Sequence, residues 1–156
     1  MTRLGLAAAI ACIIAASGCR HPAASIVTCP PGATLMGAAP PKGEELWCQK
    51  IVDGKAVKDG IFIVYAQGGG KMIEGTYRDG KQDGEWTMWF DNGRRASVDH
   101  YRGGVQDGAH ISWYASGVKA LEGNYRDGRR VGVWTRWDPT GLNSRQQTYS
   151  GASPAN

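Results

Sequence analysis

Tyr77-Arg78-Asp79-Gly80-Lys81-Gln82-Asp83-Gly84-Glu85-Trp86 returns 48 residues later as Tyr125-Arg126-Asp127-Gly128-Arg129-Arg130-Val131-Gly132-Val133-Trp134. Half-way between them, Tyr101, Gly104, Gly108 and His110 keep the same spacing, so the period is 24 residues. Outward from this stretch the interval holds for Gly60, Gly84, Gly108 and Gly132, and for Gly69, Gly93, Gly117 and Gly141. It holds again for Tyr77, Tyr101, Tyr125 and Tyr149, for Tyr65, Trp89, Trp113 and Trp137, and for Phe62, Trp86, His110 and Trp134. Such in-register series identify a repeat architecture, here of four units over residues 51–149.

Each unit reads as a β-hairpin. Glu85-Trp86-Thr87-Met88-Trp89-Phe90 has strand composition. Asp91-Asn92-Gly93 supplies a turn, because Asn and Gly tolerate positive φ. Arg95 to Tyr101 returns as a second strand, and Arg102-Gly103-Gly104 begins the next reversal. Helix is excluded because the repeats never run ten residues without a breaker. The expected fold is all-β: an elongated antiparallel meander of about four hairpin repeats in a single twisted sheet. Alternation puts Tyr65, Trp89, Trp113 and Trp137 on one face and Phe62, Trp86, His110 and Trp134 on the other. Tyr77, Tyr101, Tyr125 and Tyr149 are expected to interleave with the first of these series as a mixed Trp/Tyr ridge.

The units beginning at Tyr77 and Tyr125 resemble the MORN repeat, in the bacterial variant found in exported and antitoxin-annotated proteins. The resemblance implies a non-enzymatic interaction module. The first unit departs from the pattern, with Asp53 in the Tyr slot, as a capping repeat would. Polar Asn143-Ser144-Arg145-Gln146-Gln147 is expected to cap the other end.

Ahead of the repeats the chain changes character. Arg3 precedes an apolar run, Leu4 to Ala16, too short for a membrane-spanning helix but suited to an export signal over residues 1–18. Ala16-Ser17-Gly18-Cys19 resembles a bacterial lipobox, which makes Cys19 the lipid-modified first residue of a mature chain; a plain secretory signal is the alternative. Arg20 after it favours, by resemblance to diderm lipoproteins, the outer membrane. Residues 19–28 read as a tether and 150–156 as a disordered tail. Cys29 and Cys48 remain, and in an oxidising compartment they are expected to form a disulfide stapling the Pro/Gly-rich leading segment 29–50. A metal site is the rival, weakened by the lack of nearby Cys/His partners.

No catalytic constellation emerges. His100 and His110 occupy ordinary repeat slots, and Gly68-Gly69-Gly70-Lys71 lacks the context of a phosphate loop. Asp59, Asp83 and Asp107 obey the period and read as turn formers. Over residues 51–149, 14 Lys/Arg face 12 Asp/Glu, a surplus too small for nucleic acid. Neither a metal nor a cofactor is implied. Two surfaces are candidates for binding: the ridge containing Trp89, Trp113 and Trp137, and a column of Arg78, Arg102 and Arg126 that could meet anionic lipid headgroups. Burial is the preferred reading of the ridge, with about 3 kcal/mol expected for Trp113→Ala, and a solvated turn edge is preferred for the column. The expected function is a membrane-anchored envelope lipoprotein that scaffolds or binds an unidentified protein. Lipid or glycan binding and toxin neutralisation are the alternatives.

Overall fold

The computed structural model describes residues 27–151. Eleven strands follow one another: β1 (Thr34–Gly37), β2 (Glu45–Val52), β3 (Lys55–Tyr65), β4 (Lys71–Arg78), β5 (Lys81–Gln82), β6 (Gly84–Trp89), β7 (Arg95–Arg102), β8 (Val105–Trp113), β9 (Lys119–Arg126), β10 (Arg129–Trp137) and β11 (Ser144–Ser150). They form one open antiparallel sheet in chain order, with the two-residue β5 pairing back on β4. The fold is therefore the all-β meander of hairpin repeats that the periodicity predicts. Ten strands side by side span roughly 45 Å at the usual inter-strand spacing.

Two glycine series explain how the repeat turns and bends. Gly69, Gly93, Gly117 and Gly141 all take positive φ at the hairpin tips. Gly60, Gly84, Gly108 and Gly132 also take positive φ, but lie at or beside the strands, where three of the four meet shifts in the ladder. In β8, for example, His110 pairs with Asp99 and Gln106 with Tyr101, leaving Gly108 inside a bulge. Bulges sharpen the right-handed twist of a strand, so Gly60, Gly108 and Gly132 bend their repeats alike.

Asp59, Asp83 and Asp107 sit at these bulges and not in the turns, which corrects the turn-former reading. Each reaches the following reversal: the Asp79 amide donates to Asp59 Oδ1 at 2.9 Å, Gly103 to Asp83 Oδ2 at 3.4 Å, and Asp127 to Asp107 Oδ2 at 3.3 Å. A strand carboxylate thus braces a turn 20 residues on. The Asp79 amide, with Lys50 nearby, holds the Asp59 carboxyl below its ordinary range despite its burial.

At the amino end the Pro/Gly-rich segment delivers β1 as an edge strand, and β2 then pairs on both sides. Asp53-Gly54 makes the β2–β3 turn, two residues ahead of the later Asp79-Gly80 and Asp127-Gly128 turns in repeat register. This displacement is why the first unit lacks the tyrosine. Cys29 and Cys48 are joined as expected, across 19 residues. Cys48 is fully buried, and Gly60 lies so close to it that a Cβ there would meet the Cys48 Cβ at 2.9 Å. Replacing both cysteines by serine is expected to cost about 3 kcal/mol, the chain entropy of such a loop. Urea unfolding checks this, and an unchanged midpoint would refute it. The signal segment, Cys19, most of the tether and residues 152–156 lie outside the described residues.

Candidate functional site

The interior of this sheet is thin, with aromatic rings buried on one face and Leu46, Ile63 and Val98 on the other. Phe62 and Trp86 are buried on one face, and Trp134 is 2 % exposed. Tyr77 stands between Phe62 and Trp86, with ring centroids 5.5 and 5.1 Å away, and Tyr101 follows Trp86 at 6.2 Å. His110, Tyr125, Trp134 and Tyr149 form a second run, at 6.0, 4.9 and 6.2 Å. Edge-to-face contacts of this length are the favoured geometry for aromatic pairs. Cations lie over both ends: Lys58 Nζ is 4.0 Å from the Phe62 centroid, and Arg130 Cζ is 4.2 Å from that of Trp134.

The tyrosines do interleave with an aromatic series, but with Phe62, Trp86, His110 and Trp134 instead of Trp89, Trp113 and Trp137. Register is the reason. Phe62 pairs with Gly75 and Gly60 with Tyr77, so Tyr77 shares the face of Phe62. That parity depends on the irregularities next to each hairpin tip, at Val64/Tyr65, Met88/Trp89 and Ser112/Trp113. Trp89, Trp113 and Trp137 occupy the opposite face, half-buried, at the tip ends of their strands. Arg95 and Lys119 are the cross-strand partners of Trp89 and Trp113. Lys119 Nζ also lies 5.3 Å from the Trp137 centroid. The result is a row of partly accessible indoles flanked by cations.

The arginine column is largely neutralised. Arg78 pairs with Asp83 at 3.2 Å, and Arg102 with Asp107 at 2.5 Å and Asp127 at 3.6 Å. Arg126 lacks the equivalent partner because Val131 occupies the Asp slot. Exposed pairs of this kind contribute little to stability, yet they remove most of the net charge a headgroup would meet.

One position in the ladder carries different chemistry. Trp86 and Trp134 lie flat against bare glycines, so that a Cβ on Gly75 or Gly123 would come within 2.3 and 2.2 Å of the indoles. In the repeat between them His110 replaces the indole, and its partner on β7 is Asp99, where Trp86 and Trp134 face Gly75 and Gly123. His110 Nδ1 and Asp99 Oδ1 are 2.7 Å apart, with side chains 14 % and 11 % exposed. Gln106 Nε2 donates to Asp99 Oδ1 at 3.0 Å, and Ser97 Oγ donates to Oδ2 at 3.1 Å. Burial pushes the Asp99 carboxyl up, but the hydrogen bond and charge of His110, with help from Ser97 and Gln106, outweigh it and hold the carboxyl below its ordinary value. Ser97 bonds the carboxylate and not the imidazole, so the three do not form a nucleophile–base–acid relay. Among the described residues no three His, Cys, Asp or Glu side chains gather as a metal site requires.

No family model and no curated protein matches the chain. One solved structure with a similar course is the glycosylation associate protein (Gap123) complex from Streptococcus agalactiae, at 15 % identity and a TM-score of 0.38. The match covers 74 % of this chain and 20 % of that one.

Proposed function

We propose that this protein is a non-enzymatic, lipid-anchored scaffold of the cell envelope, built from MORN-like repeats, which binds a protein partner through its tryptophan row. The observation that carries the reading is the half-buried series Trp89, Trp113 and Trp137, repeated every 24 residues on one face of an open sheet. Tryptophan is enriched among the residues that dominate binding energy at interfaces, and an evenly spaced row suits an extended partner. Lipid or glycan binding is the weaker reading, because Arg78 and Arg102 already hold carboxylates. Toxin neutralisation would require the toxin in the same compartment.

The test of the anchor is separate from the test of the face. Cys19→Ser is expected to abolish acyl labelling and release the protein from the membrane fraction; retention with labelling intact would overturn the lipid anchor. For the face, photo-crosslinkers placed next to Trp89 and Trp113 in the intact lipoprotein are expected to capture one protein species. Crosslinkers beside Arg78 should not. Equal yield from both positions would overturn the assignment of the face.

A further inference from the structure

Aligning the four hairpins by their pairing, and not only by their spacing, exposes a change confined to the last. The cross-strand pair next to each tip is Val64–Ile73 in the first hairpin, Met88–Ser97 in the second and Ser112–Leu121 in the third. In the fourth it is Arg136–Arg145. Both members of a neutral pair have become guanidinium groups. Like charges directly opposite on one face destabilise a sheet, so packing does not account for the exchange. A third arginine lies beside it: the series Lys58, Gln82, Gln106, Arg130 carries a cation at its two ends, and Arg130 donates to the Tyr149 hydroxyl at 3.3 Å and rests on Trp134.

All three arginines line one open cavity of about 390 Å³, floored by Leu121, Trp134 and Tyr149. None of them forms an ion pair among the described residues, unlike Arg78 and Arg102, which do. We infer that Arg130, Arg136 and Arg145 form a binding site for a phosphate group. Planar guanidinium forks match phosphate oxygens in bidentate fashion, and a dianion between Arg136 and Arg145 converts their repulsion into attraction. Arg130, fixed by the aromatic floor, supplies a preorganised donor. The phosphate can be soluble, free or on a small phosphomonoester, or in a phospholipid headgroup, and the test separates the soluble from the lipid source.

The full-length protein in neutral detergent is unfolded thermally in chloride and in inorganic phosphate at matched ionic strength. A ligand that binds the native state alone raises Tm, by about 6 °C once its concentration is some 20 times Kd. The double variant Arg136→Ser/Arg145→Leu rebuilds the Ser112–Leu121 pair. It is expected to melt at or above the wild-type temperature in chloride and to show no rise in phosphate. Arg136→Gln/Arg145→Gln, which keeps polarity, should lose the response equally. A second arm replaces phosphate by micelles containing phosphatidylglycerol, with phosphatidylcholine as control. A rise with phosphate alone identifies a soluble phosphate ligand; a rise with phosphatidylglycerol as well identifies a headgroup. A phosphate response that survives in both variants, no wild-type response to either probe, or a variant less stable than wild type in chloride overturns the site.

Discussion

Trp134→Ala is expected to lower stability by about 3 kcal/mol or more, as the loss of a buried large aromatic does. Trp113→Ala should cost less than half as much. The difference follows from position. Trp134 is 2 % exposed, donates Nε1–H to the Asn124 carbonyl at 3.2 Å, and lies between Tyr125 and Tyr149 with Arg130 above it. Its indole rests on Gly123, where no side chain can move in to fill the void. Trp113 stands on the other face at a hairpin tip, only half-buried, so truncating it gives up less buried apolar area. Urea denaturation of the two variants gives the comparison through the midpoint at constant m-value. Equal losses would mean that both faces contribute alike, and the tryptophan row would then belong to the interior instead of a docking surface. Trp86→Ala serves as a replicate: Trp86 rests on Gly75 and bonds the Thr76 carbonyl at 3.2 Å, the same geometry two hairpins earlier.

The architecture was legible because a 24-residue period needs no knowledge of pairing. Tip glycines, strand aromatics and the Cys29–Cys48 bridge all declare themselves by residue type and interval. What could not be read depends on register. Whether Tyr77 faces Phe62 or Tyr65 is decided by one irregular residue near the tip, and a shift of one position moves every side chain to the other face. Trp113 is half-buried at the tip end of its strand, so the larger loss is expected at Trp134, which is buried. Asp59, Asp83 and Asp107 were seen as periodic, but their bond to the next turn crosses 20 residues and appears only in three dimensions. The arginine cluster did leave a signal. Val64, Met88, Ser112 and Arg136 form one 24-residue series, and Ile73, Ser97, Leu121 and Arg145 another. Both end in arginine, but only the pairing reveals that the two series touch.

Register also reveals a compensated exchange in the middle of the array, and this can be reversed. Asp99→Gly is expected to destabilise the protein by about 3 kcal/mol, because it strips His110 of its buried partner. His110→Trp alone should cost a similar amount, since an indole there meets the Asp99 side chain where Trp86 and Trp134 meet bare glycine. The double variant Asp99→Gly/His110→Trp rebuilds the glycine–indole pair of the neighbouring repeats and is expected to be at least as stable as the wild type. Replacing a buried hydrogen-bonded polar pair by well-packed apolar groups of similar shape is often neutral or stabilising. The interaction energy from the cycle would then be several kcal/mol, well beyond what independent sites show. Acid gives a second readout. The folded Asp99 carboxyl titrates below its ordinary value of 3.8, so its contribution is complete above that pH and is lost as pH falls through the lower, folded value. The double variant lacks this carboxylate, so its stability relative to wild type should grow below about pH 4. A double variant that loses as much as the two single changes combined would mean that the third repeat holds a backbone geometry of its own. In that case His110 and Asp99 would not be substitutes for Trp and Gly in a common frame.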